Sequence, residues 1–256
     1  MEVEHMKPWF LPIVVFTVLI NAAPDQMFFV DGYFKEKIED DRTSGNLSEA
    51  QFNKLISLVQ AIYDEKITEK KLKPLKIIGN WESDLINAYF KEQLQINLVY
   101  VSGALARRPE MDLDSLALVV CHELGHAYGG PPQRRAPLYY ASVEGQADFY
   151  GMGVCLREVF NELAPATSQI DEEEFLQKSC RSAKNIGLCI RLLSAGQSAG
   201  NLLANLKNEP QPNYRLPDST VVRRTLKSYP KRVQCRLDTY FNAVLHRERP
   251  RCWFKG

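Results

Sequence analysis

His122-Glu123-Leu124-Gly125-His126 sets two imidazoles four positions apart, with a carboxylate beside the first. An α-helix turns about 100° per residue, so the two histidines stand one turn apart on nearly the same face, where they can grip one metal ion. Glu123 lies about 100° around the helix from His122. From there it can take a proton from a water at the metal without being a ligand itself. Glu144 opens a second segment, Glu144-Gly145-Gln146-Ala147-Asp148, in which Glu144 and Asp148 again share a helix face. Glu144 supplies an anionic third ligand and leaves a fourth position open, the arrangement of a catalytic rather than a structural zinc site. Asp148 is placed to accept a hydrogen bond from the far nitrogen of a ligand histidine. Two neutral imidazoles and one carboxylate suit a single zinc ion, with iron or manganese as alternatives. Gly125, Gly145 and Ala147 are small enough to let the two helices converge on one point.

The elements that must hold these residues follow from the hydrophobic pattern. Ser48 reads as the N-cap of a helix to about Ile67, with Phe52, Leu55, Ile56, Val59 and Ile62 on its buried face. Three extended runs come next, Leu75 to Ile78, Leu85 to Phe90 and Leu94 to Tyr100, and imply a small sheet. Asp114 can cap the helix bearing the two histidines, which stops at Gly129-Gly130-Pro131-Pro132. A second helix from Ser142 to Leu163 carries Glu144. The remainder reads as helical: Asp171 to Lys207 with an interruption near Gly187, a capped segment after Pro217-Asp218-Ser219, and a last helix from Lys231 to Leu245. Trp81 and Trp253 read as core residues, and the charge run Asp171 to Glu174 as a solvated helix start. The fold class expected is α+β, mainly helical, with a small sheet beside the metal-binding helix.

Composition narrows the partners and the compartment. The 256 residues are 45% hydrophobic and 25% charged with a formal net charge of +1, enough for one full core and too balanced to attract nucleic acid or an anionic membrane in bulk. Lys7 precedes the apolar run Trp9 to Ile20, which ends in Ala22 and Ala23. This is the pattern of a signal peptide over 1–22, followed by a leader over 23–46 and a single domain over 47–256. The run is shorter than the roughly 20 residues of a spanning helix, so no stable membrane insertion is expected after cleavage. Six cysteines without paired C-x-x-C spacing fit an exported, disulfide-bonded chain, periplasmic or secreted. Of the 15 full pairings open to them, Cys235 with Cys252 is preferred, because it would pin the tail from Arg251 to Phe254 onto the preceding helix.

Over Asn87 to Asp148 the chain resembles the CAAX-prenyl-protease and HtpX-like family of gluzincin peptidases. Asn87-Ala88, the strand from Leu94 to Val101 leading into Ser102-Gly103, the H-E-x-x-H motif and Glu144-Gly145-Gln146-Ala147-Asp148 stand in that family's order. The resemblance implies a zincin-like domain, with His122, His126 and Glu144 as zinc ligands and Glu123 as general base. It further implies that an edge strand at Leu94 to Val101 aligns an extended polypeptide substrate beside the metal. Tyr229-Pro230 followed by Arg236 stands where the family has a His-Pro pair followed by an arginine. Tyr229 and Arg236 are thus candidates for stabilising the oxyanion, with Tyr139, Tyr140 and His246 behind them. Two departures are plain: the interval between His126 and Glu144 is shorter than usual in the family, and the membrane helices of its integral members are absent. The implied function is zinc-dependent endopeptidase action on exported or misfolded proteins. The alternatives are a zinc amidase acting on a non-peptide envelope substrate, and a non-catalytic metal-binding or chaperone-like envelope protein.

Overall fold

The computed structural model describes residues 45–136, 139–164 and 174–256. The expected signal segment, nearly all of the leader and the first residues of the Asp171 to Glu174 run lie outside them. Helix α1 (Glu49–Lys70) begins at Ser48, whose side chain accepts from the Gln51 amide in a reciprocal capping box, and ends at Lys71 in the left-handed conformation. Its buried stripe of Phe52, Leu55, Ile56, Val59 and Tyr63 packs beside strand β1 (Leu75–Asn80). Strands β2 (Ala88–Glu92) and β3 (Asn97–Ser102) complete a sheet of order β1-β3-β2. β1 runs parallel to β3 and β2 antiparallel to it. The strand read from sequence as an edge is therefore the central one, and the edge beside the helix that bears the two histidines is β2.

After the short helix α2 (Gly103–Ala106), helix α3 (Leu113–Tyr128) carries the H-E-x-x-H segment. Its cap is Asp112, in a reciprocal pair with Ser115, rather than Asp114. Asp114 instead receives two hydrogen bonds of 2.7 Å from Arg191. Every residue of α3 from Asp114 to His126 is buried, so this helix is the axis of the fold and not a surface element. The hairpin β4 (Gln133–Ala136) and β5 (Tyr139–Ser142), which the sequence reading did not anticipate, leads directly into α4 (Glu144–Tyr150). One π-helical turn (Gly151–Cys155) joins α4 to α5 (Leu156–Glu162), giving the long helix expected there a register break.

Two close approaches position the second helix. A Cβ on Gly125 would lie 2.5 Å from the Ala147 carbonyl oxygen, and one on Gly145 would lie 2.2 Å from the Trp253 ring. Only glycine lets α4 meet α3 on one side and the C-terminal tail on the other. Beyond α5 come α6 (Glu174–Cys180), α7 (Ile186–Lys207) and α8 (Val233–Val244). The interruption expected near Gly187 falls over residues 181–185, and Asn185 caps α7. The helix expected after Pro217-Asp218-Ser219 is absent, and residues 209–232 run without a helix or strand.

Three disulfides close the structure: Cys121–Cys155, Cys180–Cys189 and the expected Cys235–Cys252. The last joins Trp253 and Val143 in a small apolar cluster beside the main core. The whole is an α+β arrangement with more helix than sheet, and among the described residues no helix is long and apolar enough to cross a membrane.

Candidate metal centre

Three helices deliver the polar groups at the centre of the fold. α3 brings His122, Glu123 and His126, α4 brings Glu144 and Asp148, and α8 brings Arg236 and Tyr240, none of them more than 1% exposed. The Nε2 atoms of His122 and His126 are 3.1 Å apart, and Oε2 of Glu144 is 3.4 Å from each. The sequence-derived ligand set thus converges on one point.

The protonation pattern can be worked out from the neighbours. The Ser142 carbonyl can only accept, so Nδ1 of His126, 2.8 Å away, donates to it. Nδ1 of His122 donates to the Asp148 carboxylate at 2.8 Å. In neutral imidazoles this leaves both Nε2 lone pairs, together with a Glu144 oxygen that has no hydrogen-bond partner, aimed at one another. Three acceptors facing each other repel unless a cation lies between them, so the residues fit a divalent ion. A proton on His122 would relieve the same repulsion. Burial works against it, but the adjacent Asp148 and Glu144 lift the His122 pKa to about 9. Burial raises Glu144, yet the two histidines outweigh it and hold its carboxyl far below the usual range.

Asp148 is held on every side. Arg236 donates to it from Nε at 2.8 Å and from a terminal nitrogen at 2.5 Å, and the Tyr240 hydroxyl donates at 3.1 Å. Against the cost of burial, Arg236 and His122 keep this carboxylate ionised. The guanidinium is thus turned toward Asp148, behind the imidazole of His122. Glu123 is the contrast. It is fully buried, neither carboxylate oxygen has a hydrogen-bond partner, and burial raises its pKa to about 7 against the pull of both histidines.

Of the other candidates, Tyr229 comes closest. Its hydroxyl is buried without a partner, its ring lies 5.3 Å from the Arg236 guanidinium, and burial with the nearby Glu144 raises its pKa well above the ordinary tyrosine value. It is a protonated donor near Glu144. Tyr140 is 55% exposed, with its backbone N–H on Glu92, and His246 is exposed beyond the far end of α8. Sequence reasoning missed three contributors. Tyr240 follows Arg236 by one helical turn, a spacing that could have marked it. Phe90 of β2, stacked on His126 with ring centroids 6.3 Å apart, could have been found only from the sheet order. The Ser142 carbonyl is backbone and left no signal.

The disulfide Cys121–Cys155 ties the residue before His122 to the helical segment that follows Glu144. Replacing both cysteines with alanine should cost about 2–4 kcal/mol of stability and speed the loss of metal to a chelator, measured by urea unfolding and by metal retained over time. Unchanged retention would show that helix packing alone keeps the ligands in register. Set against known proteins, the chain matches no family model, no curated protein and no solved structure.

Proposed function

We propose that this protein is a zinc-dependent endopeptidase of the gluzincin type, acting on polypeptides outside the cytoplasm. The observation that carries the reading is Glu123, a buried carboxylate with no partner, beside three converging ligands and rotated away from them. A structural site has no use for such a group and fills its fourth position with protein. A divalent ion held by His122, His126 and Glu144 would supply Lewis acidity and make a water at its open position more acidic.

The chain's own residues do the rest. Glu123, poised near pH 7, accepts a proton from water and returns it to the leaving amine. The Tyr229 hydroxyl donates toward the developing oxyanion. Asp148, gripped by Arg236 and Tyr240, fixes the tautomer and orientation of His122, which makes Arg236 a positioning residue. Among the described residues strand β2 has a hydrogen-bonded neighbouring strand on one side, and it packs against α3, so its other edge can align an extended peptide.

The test combines metal content with hydrolysis of unfolded casein. Protein purified and exchanged against excess zinc should retain about one ion per chain and cleave casein, and Glu144→Ala should lose both properties. A Glu144→Ala protein that keeps the wild-type metal content removes that residue from the ligand set. A zinc-loaded wild-type chain that leaves casein and unfolded exported proteins intact sinks the peptidase reading.

A further inference from the structure

A cavity among the described residues lies away from the candidate metal centre. It is a groove of about 1450 Å³ between α6, the start of α7 and the side of α8 that faces away from Asp148. Its floor is aromatic: Phe241 has Phe175 at 6.1 Å and Tyr214 at 5.3 Å between ring centroids. Its walls carry Arg157, Lys178, Arg181, Lys184 and Arg247, and the carboxylates lining it among the described residues are Asp218 and Asp238.

Those two carboxylates do not neutralise the walls. Asp238 accepts from the Asp218 amide and from Gln234, and Asp218 accepts from the Thr220 amide. Among the described residues, Lys178, Arg181, Lys184 and Arg247 make no ion pair. Arg157 gives a terminal nitrogen to the Val244 carbonyl, while its Nε is buried with no acceptor. A buried donor without a partner, beside four cations that make no ion pair among the described residues, calls for an external anion. The groove exceeds the roughly 300–1,000 Å³ of most small-molecule pockets.

We propose that this groove docks an acidic polypeptide segment, with an aromatic side chain on the Phe175, Tyr214 and Phe241 floor and flanking carboxylates on the cationic walls. The site requires neither the metal nor Glu123, so it stands or falls apart from the catalytic reading.

The experiment is an anisotropy titration of the full chain with a fluorescein-labelled peptide that has a central phenylalanine flanked by glutamates. The peptide should bind, and weaken with added salt. Changing its phenylalanine to alanine, or its glutamates to lysines, should lower or abolish binding. The variant Lys178→Gln, Arg181→Gln, Lys184→Gln should bind about tenfold more weakly. The equal charge change Arg223→Gln, Arg224→Gln, Lys227→Gln, on exposed residues outside the groove, should leave binding unchanged. Equal losses in the two variants would show a diffuse field and overturn the proposal. So would an absence of binding, or phosphatidylserine vesicles that bind through the groove cations when the peptide does not.

Discussion

Glu123→Gln should keep the metal and lose the reaction. At matched zinc loading its rate on an unfolded polypeptide should fall at least about a hundredfold, within the 10² to 10⁴ that general-base catalysis contributes. The ion should stay because Glu123 lies outside the convergence of His122, His126 and Glu144. The fold should hold for a reason specific to this site. The wild-type carboxylate is fully buried with neither oxygen hydrogen-bonded, so an amide of the same shape breaks no contact and removes the cost of burying a charge. Thermal unfolding should therefore occur at the wild-type temperature or above it. Metal content, a thermal melt and a single-turnover assay separate the possibilities. A variant that loses zinc would make Glu123 part of the ligand set, and one that cleaves as fast as wild type would end its role as base.

The candidate metal centre was legible because helical periodicity is local. His122, His126, Glu144 and Asp148 announce their relative directions by spacing alone, and the structure brings them together. What failed depended on distant partners. The alternation from Leu94 to Tyr100 marks a half-buried strand but says nothing about its neighbours, and the parallel pairing with Leu75 to Asn80 made it central. Asp114 was read as the cap, but its carboxylate is engaged by Arg191, far along the chain, and Asp112 caps the helix instead. Pro217-Asp218-Ser219 looks like a helix start, yet the backbone N–H groups of Val222 and Leu226 go to the carbonyls of Arg251 and Trp253. The C-terminal tail competes for the donors that a helix would have used. Likewise the pairing of Cys235 with Cys252 could be argued from neighbouring elements, whereas Cys121 with Cys155 required the packing of α3 on the π-helical turn.

Arg236→Met should destabilise the protein by about 3–5 kcal/mol, the cost of leaving a buried charge unpaired. Arg236 is 1% exposed and Asp148 fully buried, so no water can take over the lost hydrogen bonds. Asp148 would keep only Tyr240 and His122 as donors. Either it takes up a proton, and His122 loses its anionic acceptor, or it stays charged at full desolvation cost. By both routes the imidazole is held less firmly, and metal affinity should drop about 10–100-fold. A merely space-filling arginine would behave differently, and the double variant distinguishes the two. Asp148→Asn added to Arg236→Met removes the orphaned charge while its amide oxygen still accepts from His122, so part of the lost stability should return. Urea unfolding of the wild type, both single variants and the double variant gives the coupling. If the two losses simply add, the pair is not coupled, and Arg236 serves packing rather than the orientation of His122.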